Sequence, residues 1–158
     1  MNVIVSFLVI TVFLFPQETK NMNWLVGSWE GTGQLFGQNA VYQMEWKSKW
    51  DGKFYQLEFA NRFESSENSI IEATAFYSID KNNEPVGKWF DSRGYFLPIK
   101  SVLTGNELVS FWGTTNDAEQ GKTVYRLVNE NEIEVKDFVL KDSVYSQFGQ
   151  AIYKKVNN

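Results

Sequence analysis

The sequence predicts an all-β protein, a closed antiparallel up-and-down barrel of about ten strands, and three observations carry that prediction. Aromatic residues make up 16% of the 158 positions, and with abundant Val, Ile and Thr they favour pleated sheet over helix. Apolar and polar residues alternate with period two through most of the chain, interrupted at short intervals by Gly, Asn, Asp and Ser. No stretch of helical period is long enough to connect parallel strands, so neighbouring strands run antiparallel. A meander of this length leaves two unpaired edges unless its last strand meets its first, and closure removes both.

Taken in order, the chain starts with an apolar run from Val3 to Phe15, broken only by Ser6 and Thr11. That run is too short for a membrane-spanning helix, which needs about 20 residues, and it matches the apolar core of a secretory signal. We expect residues 1–22 to be a signal-like segment and spacer that exports the protein, with no stable transmembrane span. An uncleaved anchor and a part of the folded domain are the alternatives. Residues 23–158 then form a single barrel domain.

The barrel opens on Trp24-Leu25-Val26-Gly27-Ser28-Trp29-Glu30-Gly31-Thr32-Gly33, where aromatics and glycines come together. Trp29, with Leu25 and Val26 beside it, reads as a large ring plugging one end of the core. Next, Tyr42, Met44 and Trp46 share one face while Gln43, Glu45 and Lys47 share the other. Asp51-Gly52 signals a hairpin, beyond which Tyr55, Leu57 and Phe59 alternate with Gln56 and Glu58. Further strands are expected over 70–79, 86–90, 96–103, 108–114, 123–128, 133–140 and 143–156, separated by polar turns such as Gly105-Asn106 and Asn129-Glu130-Asn131.

Composition excludes several kinds of function. A formal net charge of −4 gives no broad basic field for nucleic acid. Absence of cysteine removes disulfides, thiol nucleophiles and thiolate metal sites, and absence of histidine removes the usual general base and the commonest metal ligand. Asp80-Lys81-Asn82-Asn83-Glu84-Pro85 has oxygen side chains at alternating positions, but Pro85 stands where a calcium loop needs Gly, and no helices flank it. No phosphate-cradling loop or serine elbow is present. Glu30, Glu58 and Glu72, with Tyr42, Tyr55 and Tyr77, are candidate acids and bases, yet no spacing singles out a pair and most carboxylates fall on the polar side of the alternation. We therefore assign no catalytic residue and no metal ligand.

Candidate ligand-binding residues are the inward-facing Tyr42, Met44, Trp46, Tyr55, Leu57 and Phe59, together with Trp89, Arg93, Trp112 and Arg126. In Trp89-Phe90-Asp91-Ser92-Arg93-Gly94-Tyr95, Asp91 and Arg93 either share a face at a cavity mouth as a fixed charge pair or form a solvated hairpin end with Gly94 at the turn. Arg126 alternates in phase with Val124 and Val128, which places it among apolar side chains.

Gly27-Ser28-Trp29 at the entrance to the first strand resembles the Gly-x-Trp signature of the calycins, the superfamily of lipocalins, fatty-acid-binding proteins and nitrobindins. The wider spacing of Leu25, Gly27, Trp29, Gly31 and Gly33 is most similar to that of nitrobindin-type heme-binding barrels. The ending Ala151-Ile152-Tyr153-Lys154-Lys155 is similar to the close of such chains. The resemblance implies that Gly27, Trp29 and Arg126 close the barrel, since Arg126 resembles by position a late-strand Arg that packs across the signature Trp, a cation–π contact worth roughly 0.5–2 kcal/mol. An Arg anchoring a ligand carboxylate and an exposed ladder Arg are the alternatives for Arg126.

Nitrobindins bind heme b through a histidine and are linked to nitric oxide binding and peroxynitrite isomerisation. With no histidine here, that ligand maps to no position, although a tyrosinate could replace it. No cofactor is expected. The leading expectation is non-catalytic binding of a small hydrophobic or amphipathic molecule inside the barrel. The alternatives are a nitrobindin-like heme protein with a non-histidine ligand, and a plugged barrel acting as a structural or interaction module.

Overall fold

The computed structural model describes residues 21–156, so the signal-like segment lies outside the described residues apart from its last two positions. A short 3₁₀ turn, Asn23–Leu25, precedes ten strands. These are β1 (Gly27–Leu35), β2 (Gln38–Lys49), β3 (Phe54–Phe63), β4 (Ile71–Ile79) and β5 (Pro85–Asp91), then β6 (Phe96–Thr104), β7 (Glu107–Trp112), β8 (Gly121–Asn129), β9 (Glu132–Lys141) and β10 (Val144–Lys155). Each pairs antiparallel with its sequence neighbours, and β1 pairs with β10, so the sheet is a closed up-and-down barrel with no open edge. No helix among the described residues is long and apolar enough to cross a membrane.

The hairpins form where turn chemistry places them. Trp50, Asp51 and Gly52 are all left-handed, with φ of 48°, 56° and 79°, which is the geometry that Asp-Gly favours. Asp80 Oδ1 accepts from the backbone N–H groups of Asn82 and Glu84, so the calcium-like stretch is a side-chain-capped β turn between β4 and β5.

The seam between β1 and β10 explains the opening glycines. In register, Trp29 faces Lys155 and Gly31 faces Tyr153. A Cβ at Gly31 would meet the Tyr153 ring at 2.9 Å, so a bare backbone there lets the phenol pack flat against β1. Gly27, at φ 131°, would bring a Cβ to 2.8 Å from Lys155 Cε. That space is used: Lys155 Nζ lies 5.2 Å from the Trp29 ring centroid.

The two ends of the barrel differ. At the end where the 3₁₀ turn sits, Met22, Leu25, Trp29, Trp46, Leu57 and Leu108 are all at most 1% exposed and pack into one cluster. The Trp29 indole N–H donates to the Leu25 carbonyl oxygen at 2.7 Å, and the Tyr55 hydroxyl donates to Asn23 Oδ1 at 2.9 Å. These bonds hold the turn inside the rim as a plug. The opposite end, framed by the turns after β1, β3, β5, β7 and β9, is hollow.

Candidate functional site

The hollow end contains a cavity of about 210 Å³. Its wall is mostly apolar, formed by side chains such as Met44, Phe59, Leu97, Ile99 and Val135, with Trp89 and Trp112 as flanking indoles. Phe36, stacked on Phe148 at 5.3 Å between ring centroids, stands at the rim with Arg93 and Glu119. Volumes near 150 Å³ accommodate a benzene-sized molecule, so this space suits a ligand about one ring in size.

Five of the candidate binding residues meet here: Met44, Phe59, Trp89, Arg93 and Trp112 line the cavity. Tyr42 stands behind them, its ring 5.9 Å from that of Tyr153 and 6.5 Å from that of Phe59, its hydroxyl donating to the Gln34 carbonyl oxygen. Trp46, Tyr55 and Leu57 point inward but belong to the plugged end. Trp46 packs edge-on to Tyr125 at 5.7 Å, on the boundary between the two halves.

Arg126 requires a correction. It neither covers Trp29 nor enters the cavity; it is exposed on the outer face, paired with Glu134 across the β8–β9 ladder. Inward positions of β8 are taken by Thr123 and Tyr125, which forces Val124, Arg126 and Val128 outward despite the two valines. The cation over Trp29 is Lys155 instead. Trp29 pairs with Lys155 across the β1–β10 seam, and Gly27 lies against the side chain of the same lysine.

Asp91 and Arg93 combine both readings of their segment. The strand ends at Asp91 and Gly94 is left-handed, yet the pair is fixed at the mouth. Asp91 Oδ2 accepts from Arg93 Nη2 at 2.7 Å and from Trp89 Nε1 at 3.0 Å, while Arg93 Nη1 donates to Glu119 at 3.2 Å. Burial works against the Asp91 charge, but the bonds from Arg93 and Trp89 outweigh it and hold its pKa below the usual carboxylate range. Arg93 is therefore engaged by two carboxylates.

The residue that sequence reading missed is Asp137. It lines the cavity from β9, facing Thr123 on one side and Gly149 on the other in the ladder. Thr123 Oγ1 donates to Asp137 Oδ1 at 2.7 Å and itself accepts from Trp112 Nε1 at 3.3 Å, so the hydroxyl proton is committed to the carboxyl. Strand β10 is bulged between Gln147 and Gly149, opposite this point, and a Cβ at Gly149 would come within 3.1 Å of Oδ2. The signal was present: Asp137 falls in the inward phase with Ile133 and Val135.

Burial raises the Asp137 pKa from an ordinary 3.8 to about 6, the Thr123 hydrogen bond only partly opposing it. Burial also raises the phenols of Tyr42, Tyr125 and Tyr153 far above their usual range, with Asp137 adding to each, and pushes Tyr77 up to about 12. All four stay protonated at neutral pH.

These facts bear on heme. A tyrosinate ligand needs a phenol that ionises readily, and the interior phenols are shifted the other way. The cavity is also smaller than the roughly 300 Å³ at which drug-sized ligands begin to fit, and a porphyrin is larger than most of those. The residues present do not fit the group.

A larger, open groove of about 760 Å³ crosses the outer faces of β1–β5, with Glu30, Glu45, Glu58 and Glu72 along it. Glu58 accepts hydrogen bonds from Gln56 and Thr74, as expected for a solvated ladder. No group of His, Cys, Asp or Glu able to hold a metal ion exists among the described residues.

The fold and the site define a class: a closed ten-stranded barrel, plugged at one end and hollow at the other. No protein-family model matches the chain, and no curated protein matches it.

Proposed function

We propose that this protein is an exported, calycin-like barrel that binds a small hydrophobic or amphipathic molecule in its interior without transforming it. The observation that carries the reading is the cavity of about 210 Å³, its walls mostly aromatic and aliphatic with a minority of polar groups such as Ser110, Thr123 and Asp137 among them. Concave, largely apolar spaces with few convergent polar groups are what ligand sites look like. The opening Gly27-Ser28-Trp29 motif and the ten-stranded closure support the calycin likeness, and the apolar run of residues 3–15 supports export.

Trp89 and Trp112 on the cavity wall supply the readout. Refolded, ligand-stripped protein is titrated with a panel of single-ring aromatics, short-chain lipids, retinoids and pigments while indole fluorescence is followed. We expect saturable one-to-one binding by compact members of the panel and a raised Tm at saturation. A flat response to the whole panel overturns the proposal.

A further inference from the structure

We propose that the interior site selects a small amphipathic cation, a primary amine carried on a single ring or short aliphatic body, whose ammonium group pairs with Asp137 Oδ2. The inference rests on the ligand-binding reading above and names the ligand's chemistry.

Asp137 is a carboxylate inside an apolar cavity, and no ion pair involves it among the described residues. Buried charges in proteins are ordinarily paired, because an isolated one loses its hydration with nothing in return. The cation that lines the cavity, Arg93, is engaged by Asp91 and Glu119 at the rim. Among the described residues only one carboxyl oxygen has a donor: Thr123 serves Oδ1, and Oδ2 has none. Oδ2 lies close to Gly149, where a Cβ would approach it to 3.1 Å, and the carboxyl borders the open cavity. The site thus offers a fixed, oriented acceptor with space next to it.

The surroundings point to a cation rather than a neutral donor. Tyr77, Tyr125 and Tyr153 line the same space, and an aromatic ring attracts a positive group that sits over its face. Their protonated hydroxyls cannot neutralise Asp137. A fatty acid or other carboxylate would place a second negative charge beside it, so the anionic ligands usual for small barrels are disfavoured. The volume limits the apolar part to about one ring.

Three isosteric probes test this by calorimetry at pH 7.5: phenethylamine, 2-phenylethanol and phenylacetate. Phenethylamine is expected to bind about tenfold to a hundredfold more tightly than 2-phenylethanol, the range for a charge-assisted hydrogen bond, with phenylacetate weakest. In Asp137→Asn, which keeps the shape and the Thr123 bond, the amine's advantage over the alcohol is expected to vanish.

A measurement on the unmodified protein guards against a variant that fails to fold. The groups facing Asp137 are Thr123 and Tyr125 from β8, Tyr153 from β10 and Tyr42 from β2, with Arg93 and Glu119 at the mouth. Of those whose titration is perturbed by this setting, only Asp137 changes charge near pH 6. Lowering the pH from 7.5 to 5 should therefore weaken phenethylamine, which stays protonated, and leave 2-phenylethanol unchanged. Equal affinity for amine and alcohol, tightest binding of phenylacetate, or an amine preference that survives Asp137→Asn overturns the cationic assignment while the ligand-binding reading stands. Failure of all three probes and of the wider panel removes both.

Discussion

The two halves of one barrel, built from the same ten strands, do opposite things with their aromatic side chains. At the plugged end, Trp29 and Trp46 are at most 1% exposed and pack against Leu25, Leu57 and Leu108, with the 3₁₀ turn drawn in over them. At the hollow end Phe59, Trp89 and Trp112 line a wall and leave a space between them. The lesson is that aromatic content alone does not decide whether a barrel is solid. What decides it is whether an extra segment enters: residues 22–25 fill one end, and among the described residues nothing equivalent fills the other.

Truncation should separate the halves most sharply. Trp29→Ala removes a fully packed ring and is expected to cost about 3–5 kcal/mol in urea unfolding. Phe59→Ala, whose ring already borders open space, should cost less, about 1–3 kcal/mol. Equal costs would mean that the hollow end is packed as tightly as the plug.

A smaller effect of opposite sign is expected at Asp137. Its pKa is raised on folding, so the folded state holds the proton more firmly than the unfolded chain does. Stability from this group is therefore highest below about pH 4, declines as pH rises to about 6, and stays at the lower value above that. A shift from 3.8 to about 6 corresponds to at most about 3 kcal/mol. Asp137→Asn should recover part of that at pH 8 and flatten the profile between about pH 4 and 6; a variant less stable than the parent at pH 8 would show that the carboxylate is already neutralised.

The smallest difference concerns two cations. Lys155→Ala removes the ammonium from the Trp29 ring and should cost about 0.5–1 kcal/mol, whereas Arg126→Ala, exposed beside Glu134, should stay within about 0.5 kcal/mol of the parent. Chemical denaturation of both variants side by side settles which cation serves the seam, and the reverse order would restore Arg126 to that role.

Legibility from sequence followed the same division. Alternation exposed the strands and the inward sets Tyr42, Met44, Trp46 and Tyr55, Leu57, Phe59, because one face of each strand is dry and the other wet. Strand β8 defeated that logic: Val124 and Val128 are apolar in one phase, Tyr125 and Leu127 in the other, and only the neighbouring strands decide which phase turns in. Asp137 does not stand out in the sequence because most carboxylates fall on the polar side of the alternation, whereas this one sits in the apolar phase of β9. The cavity itself was not readable, since it depends on how side chains from distant strands meet.

With every strand edge paired, traffic into the interior has to pass through the turns at one rim. Arg93 ties the turn after β5 to the loop after β7 through Glu119, so it joins two of the segments that frame that passage. How fast a molecule enters and leaves is thereby assigned to a few loop residues, while how tightly it is held is assigned to rigid strands, and either property can change by mutation without disturbing the other.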